Sequence, residues 1–134
     1  MQYYQQLIKP SFKLFMMTEI PSNVILLDKF IDIGIDGISI GSNDLTMLTL
    51  GLDRDNGEVA KSFNEMDPAV IWSLKRLITK AKKRGILCSI CGQAPSNYPE
   101  LVEKLVKWGV TSISVSPDAI DATREIVANA EKAK

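Results

Sequence analysis

The chain has 134 residues, of which 46% are hydrophobic, and its 16 basic and 16 acidic residues give a formal net charge of zero. This composition suits one domain with one core, and the lack of a basic excess argues against a nucleic-acid partner. No apolar run approaches the roughly 20 residues that span a bilayer, and the N-terminal residues do not resemble a secretion signal, so we expect a cytoplasmic protein. Histidine is absent, which removes the commonest general base and zinc ligand.

Four short apolar stretches alternate with longer amphipathic ones, which predicts an α/β fold of four βα units with parallel strands. The predicted strands are Leu14 to Thr18, Gly37 to Gly41, Ile86 to Cys91 and Ser112 to Ser116. The predicted helices run from Ser22 to Gly34, over a short segment capped by Asn43, from Asp67 and Pro68 to Gly85, from Pro99 to Gly109, and onward from Ser116 and Pro117. The long connection from Leu52 to Asp67 is of a length that is often functional.

Alternation along the strands predicts two different faces of the sheet, because successive side chains point to opposite sides. One set is consistently apolar and should lie under the helices: Ile38, Ile40, Ile86, Cys88, Ile90, Ile113 and Val115. The other set is smaller and more polar: Ser39, Gly41, Leu87, Ser89, Cys91, Ser112, Ser114 and Ser116. A face of the second kind suits the interior of a barrel near its mouth.

Cys88 and Cys91 have the spacing of a redox pair or of half a zinc site. Residues three apart on a strand point to opposite faces, so we expect neither a shared metal ion nor a disulfide. A redox pair would need its second cysteine in a helical turn, and ICGQAP shows no helix start. Both thiols should be reduced, with Cys88 an inert core residue.

Several polar residues follow the carboxyl ends of the predicted strands, where parallel α/β proteins bind ligands. Glu19 and Asp44 end neighbouring strands, so their carboxylates could converge on one hard cation such as Mg²⁺. The alternative, which the pattern alone favours, is that Glu19 is an ordinary loop acid and Asp44 only stabilises a helix N-terminus.

Two further residues near these strand ends allow more than one interpretation. Arg54 could grip a phosphate or carboxylate with two hydrogen bonds, or pair at the surface with Asp53 or Asp55. Cys91 could act as a proton donor or base, although a small buried apolar residue is the interpretation that the sequence alone favours.

Five stretches of the chain resemble a known family: TEIPSN, DGISIGSNDLTMLTLGLDRD, NEMDPAV, SICGQAPSNYPE and WGVTSISVSPD. They are similar to the C-terminal barrel of the phosphoenolpyruvate synthases, within the PEP-utilising enzyme family. More distantly, they resemble pyruvate phosphate dikinase and the first enzyme of the phosphoenolpyruvate-dependent sugar phosphotransferase system. The resemblance runs from about Phe15 to the C-terminus and implies half of a TIM-type (β/α)₈ barrel that binds phosphoenolpyruvate or pyruvate with Mg²⁺.

The resemblance also implies a role for each motif residue. Glu19 and Asp44 would be the metal ligands and Cys91 the acid/base that moves a proton to or from the methyl carbon. Substrate contacts would come from Asn43, Arg54, Gly92 and Gln93, with Arg54 clamping the phosphoryl group. The family usually has glutamine where this chain has Met47, so any polar contact from that position is lost.

The resemblance covers only the second half of the family's barrel, so residues 1–134 are expected to form a single C-terminal half-barrel domain. The implied enzyme is a phosphotransferase with paired acceptors, of the pyruvate, water dikinase type, but the chain alone should not complete that reaction. The alternative is a non-catalytic assembly module or truncated relic. In both cases the open sheet predicts a partner, either a second copy in a homo-oligomer or a complementary half-barrel chain. Another enolate-forming barrel, such as an aldolase or lyase, shares Glu19 and the metal chemistry but gives no reason for the CGQ and DRD motifs.

Overall fold

A computed structural model describes residues 11–52 and 60–133. Within them, four parallel strands form one sheet in the order β1, β2, β3, β4, which confirms the predicted α/β fold class. The strands are β1 (Phe15–Thr18), β2 (Gly37–Gly41), β3 (Leu87–Cys91) and β4 (Ser112–Ile113). β4 is shorter than predicted because the chain turns away: the Ser116 N–H donates to the Ser96 hydroxyl at 3.1 Å instead of extending the ladder.

The helices connect and cover these strands. They are α1 (Pro21–Ile25), α2 (Leu27–Asp32), α3 (Ser42–Leu50), α4 (Pro68–Arg84), α5 (Ala94–Asn97), α6 (Pro99–Trp108) and α7 (Ile120–Lys132), with single 3₁₀ turns at Ala60–Ser62 and Pro117–Ala119. The first predicted helix is divided because Leu26 adopts φ −101° and ψ 17°, outside the α-helical region. Asn43 was predicted to be a cap but lies inside the first turn of α3, where Gly41 is the N-cap.

The core lies between the helices and one face of the sheet. Ile38, Ile40, Cys88 and Ile90 are almost completely buried there, as the alternation predicted. Helix α4 contributes more buried core residues than any other described helix: Val70, Leu74, Leu77, Ile78 and Ala81. Its start is fixed because the Ala69 N–H donates to the Asp67 carboxylate at 2.8 Å.

The opposite face of the sheet is open. Phe15, Met17 and Leu87 lie on it and are 40–48% exposed, which is unusual for large apolar strand residues. Within residues 11–52 and 60–133, no strand pairs with the outer edge of β1 or of β4. Beside the β4 edge, a cavity of about 670 Å³ opens between β4, α6 and α7, lined in part by Val106, Ile113 and Val127. These features are those of one section of a barrel wall.

None of the helices in residues 11–52 and 60–133 combines the length and the apolar character that crossing a membrane requires.

Candidate active site

The carboxyl ends of β1, β2 and β3 lie side by side and carry the polar residues singled out from the sequence. Glu19 directly follows β1, and its side chain extends over Gly41 at the end of β2. A Cβ atom at position 41 would lie only 2.8 Å from Glu19 Oε2, so a larger residue there would displace the carboxylate. Gly41 is in turn the register partner of Cys91 on β3. Gly41 thus leaves room for the Glu19 carboxylate at the strand end beside Cys91.

A buried asparagine fixes the turn that carries Glu19. Asn23 in α1 is 8% exposed, and its Oδ1 accepts hydrogen bonds from the backbone N–H groups of Glu19 and Ile20, each at 3.3 Å. Asn23 was not singled out from the sequence, where it reads only as a polar residue near the start of a helix. It holds the chain at the point where β1 ends.

The first turn of α3 brings Asn43 against the loop that follows β3. Asn43 Oδ1 accepts a hydrogen bond from the Gln93 backbone N–H at 3.2 Å. Asp44 is the next residue in the same turn and is half-buried. The side chain of Gln93 is exposed. The two segments predicted to contact substrate are therefore linked directly, through a side chain of one and the backbone of the other.

The two cysteines differ in their environment, as the strand geometry predicted, and both thiols are free. Cys88 is 1% exposed, and burial raises the pKa of its thiol to about 12. Cys91 lies on the open face and is half-buried. Its Sγ donates to the Ile40 carbonyl at 3.4 Å and lies 3.6 Å from Ser39 Oγ. Of the pair, only Cys91 lies on the open face at a strand end.

A tight turn follows Cys91. Gly92 has φ of +103°, in the region that glycine adopts without strain. Its backbone also packs against α3, because a Cβ atom at position 92 would clash with Ser42 Oγ. Helix α5 then begins at Ala94, although no helix was predicted from ICGQAP. Cys91 nevertheless stays on the strand, three residues before that helix.

A second residue missed from the sequence lies behind this turn. Glu65 is only 1% exposed, and the Ser42 hydroxyl donates to its Oε1 at 2.8 Å. From the sequence, Glu65 is one polar residue in a long polar connection, and only its burial distinguishes it.

The carboxylates present fit a magnesium ion better than a softer metal. Glu19 and Asp44 carry carboxylate oxygens, the donor type that Mg²⁺ prefers, and Mg²⁺ commonly binds one or two protein carboxylates while substrate and water complete its shell. Among the residues that the structure describes, no cluster of three or more cysteine, aspartate or glutamate side chains forms a metal site. Arg54 lies outside the described residues.

Comparison with known proteins identifies relatives of this chain. The family described as "PEP-utilising enzyme, PEP-binding domain" matches residues 2–132. The chain is 55% identical over 123 residues to the probable phosphoenolpyruvate synthase of Staphylothermus marinus, covering 90% of this chain and 15% of that protein. The phosphoenolpyruvate synthase of Helicobacter pylori is 49% identical over 124 residues, with 92% and 15% covered. The chain therefore spans about 15% of the length of these relatives.

A solved structure shares the fold. The crystal structure of a HpcH/Hpal aldolase/citrate lyase family protein from Burkholderia cenocepacia superposes with a TM-score of 0.62 at 18% sequence identity. The match covers 97% of this chain and 47% of that protein. The likeness concerns the fold, and it shows that the four βα units correspond to about half of the larger structure.

Proposed function

Because this chain belongs to the PEP-utilising enzyme family through its PEP-binding domain, we propose that it forms the second half of a phosphoenolpyruvate synthase barrel, residues 1–134 being one half-barrel domain. The observation that carries this proposal is the grouping at three neighbouring strand ends. Glu19 reaches over Gly41, Asn43 contacts the turn after Cys91, and the Cys91 thiol lies beside that turn.

The proposed chemistry is proton transfer at the methyl carbon of an enolate. Loss of the phosphoryl group from phosphoenolpyruvate leaves the enolate of pyruvate, and the Cys91 thiol gives its proton to the terminal carbon, which leaves a thiolate. In the synthase direction the thiolate removes that proton from pyruvate. Glu19 and Asp44 would hold Mg²⁺, which when bound offsets the negative charge of the enolate.

The neighbouring groups suit the binding of a small carboxylic acid. Asn43 accepts from Gln93 through its carbonyl oxygen, which leaves its amide N–H groups as the donors to meet a carboxylate or phosphate oxygen. Gly92 and Gln93 border the same space through the turn after Cys91. Arg54, by its motif, would clamp the phosphoryl group, and Met47 would offer no hydrogen bond in place of the family's glutamine.

The complete reaction of the pyruvate, water dikinase type needs groups that this sequence does not supply. The chain has no histidine, so the phosphohistidine that exchanges the phosphoryl group must lie elsewhere. We therefore expect only the enolate half-reaction from the isolated chain. Its two free thiols suit the reducing cytoplasm.

The half-reaction gives a direct test. In deuterated water with Mg²⁺, the wild-type chain is expected to exchange the methyl protons of pyruvate faster than the buffer does, as followed by proton NMR. Cys91→Ala should abolish this gain, and Cys88→Ala, which alters a thiol on the opposite face of the sheet, should retain it. Exchange at the buffer rate by the wild-type chain, or full exchange by Cys91→Ala, would refute the proposed chemistry.

The open sheet favours a second candidate function, an assembly module without catalysis. The aldolase-type structure is about twice as long as the region that matches this chain. When this chain is alone, we propose that a second copy packs against its open face. A twofold axis along the strands would pair β4 of each copy in parallel with β1 of the other and bury both open faces.

A further inference from the structure

Glu65 is a buried acid that the proposed chemistry does not use. It is 1% exposed, and Ser42, which donates to it at 2.8 Å, is fully buried. Burying a carboxylate is costly unless hydrogen bonds compensate it, and the Ser42 hydroxyl supplies one such bond. Its partner Ser42 is the first residue of α3, immediately before Asn43 and Asp44.

Ser42 connects Glu65 to the turn that follows Cys91. Ser42 Oγ accepts a hydrogen bond from the Ala94 backbone N–H at 3.4 Å, and it packs closely against Gly92. A hydroxyl has one proton to donate and two lone pairs. Because the Ser42 hydroxyl donates its proton in the hydrogen bond to Glu65, its lone pairs are left to accept from the Ala94 N–H.

We propose that Glu65, acting through Ser42, is a positioning residue that holds the turn after Cys91 against α3. It thereby fixes the Cys91 thiol at the carboxyl ends of the strands. In the part of the chain that the structure describes, two hydrogen bonds join that turn to α3: Ser42 to Ala94 and Asn43 to Gln93. Loss of the first loosens the turn on the side where Gly92 packs. The thiol then leaves the Ile40 carbonyl and reaches solvent. The consequence for catalysis rests on the proposed function, whereas the consequence for the thiol does not.

A purely structural role for Glu65 would give a different result. If Glu65 only stabilised the protein, its loss would favour global opening, and both thiols would become reactive together. A positioning role changes Cys91 alone. Cys88 is therefore an internal gauge of unfolding, because it is nearly inaccessible and its thiol is held protonated by burial.

The experiment is iodoacetamide labelling of the native 134-residue chain, with the rate at each cysteine read by peptide mass spectrometry. Glu65→Ala and Ser42→Ala are each expected to raise the labelling rate of Cys91 about tenfold and to leave that of Cys88 unchanged. Glu65→Gln keeps an acceptor for the Ser42 hydroxyl and should restore a rate near that of the wild type. Glu125→Ala, at an exposed position of α7, is the matched control and should change neither rate.

Further variants keep the test decisive. The Cys91 labelling rate of the double variant of Ser42 and Glu65 should equal that of Ser42→Ala, since without the Ser42 hydroxyl Glu65 no longer acts on the turn through it. If Glu65→Ala unfolds, Glu65→Asp replaces it, because it keeps the charge and shortens the reach to Ser42. A parallel rise at Cys88, or no rise at Cys91, overturns the proposal.

The pyruvate exchange assay separates this inference from the proposed function. Glu65→Ala should lower kcat for exchange about tenfold with a smaller change in KM, and Glu65→Gln should recover it. An absence of exchange in the wild-type chain would defeat the proposed function while leaving the thiol result to decide the role of Glu65.

Discussion

Cys88 and Cys91 are three residues apart on β3, yet the sheet gives them different chemistry. The thiol of Cys88 points into the core, while that of Cys91 lies on the open face beside Ser39 and Ile40. The alternation of side chains along a strand was sufficient to predict this difference and to exclude a disulfide. The burial of Glu65 could not be predicted in the same way, because its partner Ser42 lies 23 residues earlier and only the fold brings the two together.

Cys88 should make stability depend on pH in the alkaline range. Its thiol pKa rises from 9.0 to about 12 on folding, so between those values the unfolded chain loses a proton that the native chain retains. The free energy of unfolding then falls by at most about 1.4 kcal/mol per pH unit, while below the unfolded pKa this thiol contributes no pH dependence. Urea unfolding at pH 8 and pH 10 measures how far the free energy of unfolding falls between the two. That fall should be about 1.4 kcal/mol smaller in Cys88→Val than in the wild type. Equal losses in both proteins would contradict this assignment.

The elements that the sequence predicted best are those with strong end signals. Asp67, Pro68 and Gly85 delimit α4 as expected, because the cap, the first-turn proline and the left-handed glycine each act locally. The break at Leu26 between α1 and α2 was missed since the apolar spacing of Val24 and Leu27 continues across it. Short α5 was missed because four residues carry too little periodicity to be recognised.

The turn between β3 and α5 gives a prediction with a closely matched control. Gly92 and Gly34 share φ of +103°, but only Gly92 has atoms where a Cβ would lie. Gly34→Ala should therefore cost about 1 kcal/mol of unfolding free energy, from backbone strain alone. Gly92→Ala should cost about 1–3 kcal/mol more, because its methyl group meets Ser42 Oγ. Urea unfolding of both variants measures the difference, and equal losses would show that the turn yields without cost.

At the scale of the whole molecule, the two faces of the sheet differ in how far they are buried. The helix-covered face of the sheet is closed by a continuous apolar core, while Phe15, Met17 and Leu87 stand on the opposite face. The alternation in the sequence predicted the faces of β2 and β3, including Leu87 on the open face, but Phe15 and Met17 of β1 were not assigned to a face. It also predicted four βα units by simple count. Arg54 stays a prediction, because it lies outside the described residues.

Charging the open face tests whether a second copy covers it. The wild-type chain is expected to sediment as a dimer at micromolar concentration, and the double variant Met17→Lys with Leu87→Lys as a monomer, because lysines there oppose apolar burial. Ile25→Lys introduces the same charge at a 67% exposed position on α1 and should leave the dimer intact. A monomeric wild type, or dissociation by Ile25→Lys, would count against this assembly.

The pairing of β2 with β3 has a consequence for how the site comes into being. Gly41 and Cys91 are register partners on these two strands, yet about fifty residues of chain separate them. Helix α4 lies between them in the sequence and can form from local contacts. Joining such distant segments carries a loop-closure cost that local structure does not, and slow folding is typical of contacts like these. The strand ends that carry the proposed site should therefore be among the last parts to assemble, and a partly folded chain would form its helices before these residues come together.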